Sequence, residues 1–355
     1  MRSHEIVTSH NLLNEAGELT EPGWSKSQLL KYRRSDIKAP AFRIKEWDYY
    51  MVVHDGGEDD SYAVCFTISD DGYVGLQSIS LLNLSKSDPW EHTETVLNVM
   101  PMGKLHLPEN SSEGDTYYRD KRLHMRFRAS EGMRKIDAKY RDFYEGKPLE
   151  AHIRLKQPDM DTMVIATPWD KKHCFYYNQK INTMKASGRI IFDGKIYTFN
   201  EETDYGTLDW GRGVWSYDNT WYWGSGNAHI NGHDVGFNIG YGFGNTSTAT
   251  ENVIFYDGVA HKLDDVTINI PNDVDLYDMD SPDYMKPWTI TESSGRFEME
   301  FTPILDRSAK MDFKLIISDQ HQVFGRMSGK LILDDGTIVD VNDMLCFIEK
   351  VHNKY

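Results

Sequence analysis

The 355-residue sequence predicts an all-β protein made of two antiparallel β-barrels in tandem. Three observations carry that expectation. Asx-Gly pairs recur at Asp55-Gly56, Asp71-Gly72, Asp193-Gly194, Asn231-Gly232, Asp257-Gly258 and Asp335-Gly336. Such pairs tolerate the positive φ of tight hairpin turns. Most are flanked by short β-branched and aromatic runs, such as RIIF and KIYTF around Asp193-Gly194, the mark of antiparallel strands. No window sustains a 3.6-residue apolar period over many turns.

The chain exceeds the roughly 150 residues of a typical domain, so two are expected. The first 35 residues, including LTEPGW, alternate little and read as an extended arm. A first barrel is then expected over 36–187 and a second over 188–355, with the divide at MKASGRI. Leu76 to Leu84 (LQSISLLNL) suits a short helix or a buried strand. The region 131–146 has a helical composition and is expected to be a loop or short helix. The runs on either side of it, HMRFRAS and KPLEAHIRLKQ, alternate like strands.

A formal net charge of −16 argues against nucleic acid and anionic membranes as partners. No apolar run approaches the length of about 18 residues that a membrane helix needs, so no membrane span is expected. The N-terminus lacks an apolar secretory core. The three cysteines, Cys65, Cys174 and Cys346, are scattered, and together these features point to a reducing cytoplasm. No GxSxG, HExxH or CxxC motif occurs, and no cofactor is expected. Nine Trp and twenty Tyr supply apolar area with a polar handle, which suits a pocket for an apolar small molecule.

Function is expected in the segment from Asp204 to Asn252. It gathers Asp209, Arg212, Glu251 and Asn252 beside Trp210, Trp215, Trp221 and Trp223, with glycines recurring from Gly206 to Gly244. Glycines inside strands call for a close backbone approach, a barrel corner or a ligand. Asp209 and Arg212, three residues apart, could form an ion pair. Glu251, if turned inward among tryptophans, would hold its proton and could donate it to an apolar substrate. Tryptophan faces could stabilise a developing cation. His229 and His233 flank a turn and read as solvated rather than metal-binding. The acidic run at 273–283 lacks the Gly and Glu of a calcium loop and reads as a solvated loop.

LTEPGWSKSQLLKYRR, RIKEWDYYMV, DYGTLDWGRGVW and GFGNTSTATENVIFYDG together resemble the bacterial domain-of-unknown-function family numbered 2804, over nearly the whole chain. More distantly, the order of Tyr176, Tyr177, Gly188, Gly194 and Asp209-Trp210-Gly211 resembles the lipocalin-like superfamily of AttH-type proteins and carotenoid 1,2-hydratases. The resemblance implies two tandem lipocalin-like (calycin) antiparallel β-barrels packed together. It also implies an acid that protonates an alkene before water adds. The motif spacing is shorter here, and Arg212 and Gly213 follow where the hydratases have other residues. The expected function is apolar ligand binding with Tyr177, Trp210, Arg212, Trp215, Trp221, Trp223 and Asn252 at the ligand. An acid-dependent hydratase, isomerase or cyclase using Asp209 or Glu251 is the alternative, and a purely structural or interaction module is a third.

Overall fold

In a computed structural model, which describes residues 3–312, 314 and 316–354, the chain is all-β. Among the described residues, one antiparallel sheet has thirteen strands and a second has nine. Each curls around its own core, giving the expected tandem lipocalin-like architecture. A third apolar cluster, with Tyr49, Tyr176, Trp223 and Phe347, joins the two where they face each other. The site lies in that interface.

Turn chemistry accounts for the hairpins. Asp193-Gly194, Asn231-Gly232 and Asp257-Gly258 have positive φ at both residues. That conformation matches the twist of the strands it joins. Glu131-Gly132 and Glu145-Gly146 do the same. These two turns correct the expectation of a loop or helix at 131–146, because Met133–Tyr144 is a strand. Arg134, Ile136, Ala138 and Tyr140 are buried, while Lys135 and Lys139 point to solvent. The period is two, and it outweighs the helix-favouring composition. Leu76 to Leu84 falls largely in the Val74–Asn83 strand.

The Phe175–Phe192 strand runs unbroken through residues 187 and 188. The chain changes sheets between Tyr205–Val214, in the first, and Asp218–Ile230, in the second. The N-terminal segment reaches both. Gly23–Ser25 pairs with Met163–Pro168, and the His4 amide donates to the Thr248 carbonyl at 2.9 Å. Among the described residues, no helix is long and apolar enough to cross a membrane.

Candidate functional site

The site follows from strand alternation. On Tyr205–Val214, Leu208, Trp210 and Val214 join the core of the first sheet. Asp209, Gly211 and Gly213 face the other way, toward the second sheet. Pairing sets Asp209 between Tyr49 and Lys180, Gly211 between Trp47 and Asn178, and Gly213 between Lys45 and Tyr176. Those residues form the floor. The glycines make room: a Cβ on Gly211 would stand 2.0 Å from the Trp47 ring, and one on Gly213 would stand 2.4 Å from the Phe175 carbonyl.

The second sheet supplies the roof. Trp223 is paired with Glu349, Glu349 with Gln322, and Gln322 with Arg307. Between floor and roof lies a cavity of about 450 Å³. One side is continuous aromatic surface. Trp215 meets Trp47 at 5.5 Å and Trp221 at 5.3 Å between ring centres, and Tyr176 stacks on Phe243 at 4.9 Å.

Two clusters of ionisable side chains punctuate this wall. Lys180 Nζ lies 2.9 Å from Asp209 Oδ1 and 3.9 Å from the centre of the Trp223 ring. Asn178 donates to the same carboxylate at 2.6 Å. Glu349 accepts from Trp221 Nε1 at 3.0 Å and from Gln322 Nε2 at 2.9 Å. Arg307 in turn donates to Gln322 Oε1 at 2.5 Å. Burial lifts the Glu349 carboxyl to about 7; the Trp221 hydrogen bond and Lys180 oppose that rise, and Asp209 adds to it. An ionised pair and a carboxylic acid that holds its proton near neutrality therefore share one aromatic cavity. Such an acid can donate a proton to a bound molecule and recover it.

Of the residues expected at the site, Asp209, Trp215, Trp221 and Trp223 line the cavity. Glu251 lies one layer behind Tyr176, whose hydroxyl donates to it at 3.2 Å, and burial raises its pKa. Trp210 and Tyr177 pack edge to face at 5.7 Å inside the first core. Arg212 is buried there too, 3.0 Å from Asp48 and with its guanidinium over Trp210. It donates to the carbonyls of Trp47, Gly211 and Pro108, each at 2.8 Å. The expected Asp209–Arg212 pair does not form, because residues three apart on a strand project from opposite faces. Asn252 accepts from the Gly240 amide at 2.7 Å and donates to the Asp264 carbonyl at 2.8 Å, fixing a loop.

Both histidines of the Asn231-Gly232 hairpin are paired with acids, His229 with Asp234 at 3.0 Å and His233 with Asp257 at 2.6 Å. Among the described residues no group of acids, histidines and cysteines could hold a metal. The acidic run at 273–283 folds around a side chain instead: Lys350 Nζ is held by Asp273 at 2.7 Å and by the carbonyls of Asp275 and Asp278 at 3.1 and 2.9 Å.

Lys180 and Glu349 escaped the sequence reading, as did Trp47 and Tyr176 as lining residues. A signal existed for Glu349, a lone acid inside the apolar run MLCFIEKV. A carboxylate in a fully buried strand has to be accounted for.

A family model described as a domain of unknown function, DUF2804, matches residues 3–355. No curated protein matches the sequence. The solved structures similar at 10% identity include these three. Kievitone hydratase from Nectria haematococca is covered over 98% of both chains, with a TM-score of 0.47. CghA with Sch210972 is covered over 98% of this chain and 97% of its own, with a TM-score of 0.49. An AttH-type protein from Nitrosomonas europaea is covered over 92% and 97%, with a TM-score of 0.44.

Proposed function

The chain belongs to the DUF2804 family, and we propose that it binds a largely apolar small molecule in the cavity between its two sheets. The observation that carries this reading is the aromatic wall from Trp47 and Tyr176 through Trp215 to Trp221 and Phe243. A cavity of about 450 Å³ lined this way is of ligand size, and apolar walls with a few placed polar groups suit an apolar guest. The test is fluorescence titration with N-phenyl-1-naphthylamine, exciting tryptophan. Saturable energy transfer that weakens in Trp221→Ala and Trp223→Ala supports the reading. Absence of saturable transfer in the wild type overturns it.

A second reading adds chemistry and rests on Glu349. Its carboxyl, lifted to about 7, suits an acid catalyst of hydration, isomerisation or cyclisation. Asp209, paired with Lys180, would stabilise positive charge developing on the substrate. Ligands that copurify with the protein would be incubated in deuterium oxide with wild type and with Glu349→Gln. Deuterium gained at carbon only with the wild type supports catalysis. Equal exchange with both, or none with either, leaves a binding protein.

A further inference from the structure

The outer face of the first sheet, away from the cavity, carries an imbalance of charge. Register sets Arg128, Lys135 and Arg154 side by side on three neighbouring strands, with Ser187 next. The row two residues along holds Asp137, His152 and Arg189. These side chains, with Ile153, Gly188 and Ile196 among them, line a concave groove of about 820 Å³.

Most cations of this face have a carboxylate. Arg126 pairs with Asp115, Lys139 with Glu150, Lys156 with Glu201 and Arg128 with Asp137. Asp137 is already shared with His152 at 2.9 Å. The side chains of Lys135, Arg154 and Arg189 have no ion pair or hydrogen bond among the described residues. Lys135 and Arg154 are directly opposite across a ladder, where like charges repel. Acids outnumber bases 55 to 39 in this chain, so the missing partners are not for want of carboxylates. A standing repulsion of this kind is relieved by an anion that enters the groove.

We propose that this groove is a binding site for a soluble oligophosphate. Lys135 and Arg154 face each other on neighbouring strands about 4.8 Å apart, and Arg189 lies on the diagonal from Arg154, about 7–8 Å away, so the three unpaired cations spread over successive anionic groups rather than one point charge. Arginine offers a planar fork that meets phosphate oxygens two at a time, and two of the three cations are arginine. A membrane surface and a nucleic acid both present extended negative charge, which the net charge of −16 repels. A compact anion meets only the local field of the groove.

The test is calorimetric titration of the whole chain with sodium tripolyphosphate at low salt, beside sodium sulfate at matched ionic strength. The wild type is expected to bind tripolyphosphate at one site and sulfate far more weakly. Arg154→Gln/Arg189→Gln is expected to bind about tenfold more weakly or worse. Both side chains are exposed, and the ligand-free double variant is expected to melt no lower than the wild type. Lys135→Gln is the second variant and is expected to weaken binding in the same direction. No binding by the wild type, equal affinity in wild type and double variant, or an equal response to sulfate would overturn the site. So would a preference for an oligoglutamate peptide or for phosphatidylglycerol vesicles over tripolyphosphate.

Discussion

The ammonium of Lys180, on the first sheet, stands 3.9 Å from the ring centre of Trp223, on the second. The two sheets are thus joined through a charge as well as through apolar contact. The same ammonium is 2.9 Å from Asp209, and Lys180 is 1% exposed, so the pair has little water to share its charge with.

Lys180→Met is therefore expected to leave Asp209 as an uncompensated buried charge and to cost about 3–5 kcal/mol in urea unfolding. Adding Asp209→Asn to the same chain should recover much of that loss, because the two side chains act as a unit. Strictly additive losses would show that the pair is not coupled.

Glu349 sets a pH dependence. Its folded-state carboxyl titrates at about 7, well above the ordinary 4.5, so the native protein holds a proton that the unfolded chain has released. Its contribution is full below the unfolded value and is lost as pH rises through about 7. The loss amounts to about 3 kcal/mol across that window. Glu349→Gln should lack it, and the difference between the two stability curves measures it. Parallel curves from pH 4.5 to 7 would place the carboxyl at its ordinary value.

Gly211→Ala tests the fit of the floor. The added Cβ would meet the Trp47 ring at 2.0 Å, and a rigid ring moves only with its neighbours. A loss of about 1–3 kcal/mol is expected, together with weaker naphthylamine binding as Trp47 enters the cavity. Unchanged stability and binding would show that Trp47 relaxes freely.

Lys350→Met should free the acidic run. With Asp273 left unpaired and two carbonyls released, thermolysin is expected to cut near Leu276, where the wild type resists. Stability should fall by about 3 kcal/mol. Pairing the change with Asp273→Asn should restore part of the protection. An uncut loop in Lys350→Met would assign its order to other contacts.

The hairpins were legible because their cause is local: a residue pair that accepts positive φ, between alternating runs. The expectation of a loop or short helix at 131–146 failed because Glu-Gly pairs close tight turns at both ends of that strand, as Asx-Gly pairs do elsewhere. The cavity was half legible. Asp209 and the tryptophans at 215, 221 and 223 fall inside one conspicuous segment. Their partners do not. Lys180 meets Asp209 through the pairing of two strands, and Glu349 meets Trp221 and Trp223 from more than a hundred positions away. Which face of a strand a residue takes depends on register, and register is a property of the assembled sheet. That is also why Arg212, adjacent to the site in sequence, serves the opposite side of the same strand.

The Ile338–Lys354 strand lies in the interior of the second sheet, between Asp218–Ile230 and Ile317–Ile332. Its position orders events during synthesis. By the time residue 214 has left the ribosome, every strand of the first sheet exists. The second sheet at that stage has nothing, and up to residue 337 it holds only two separate stacks of hairpins whose facing edges are open. This strand, made after both stacks, closes the gap between them and delivers Glu349 to the roof in the same step. Contacts between residues this far apart in sequence form slowly, and unpaired edges invite foreign strands meanwhile. Truncation inside this strand therefore removes the roof and opens an aggregation route at once, whereas the first sheet, complete long before, keeps its own core.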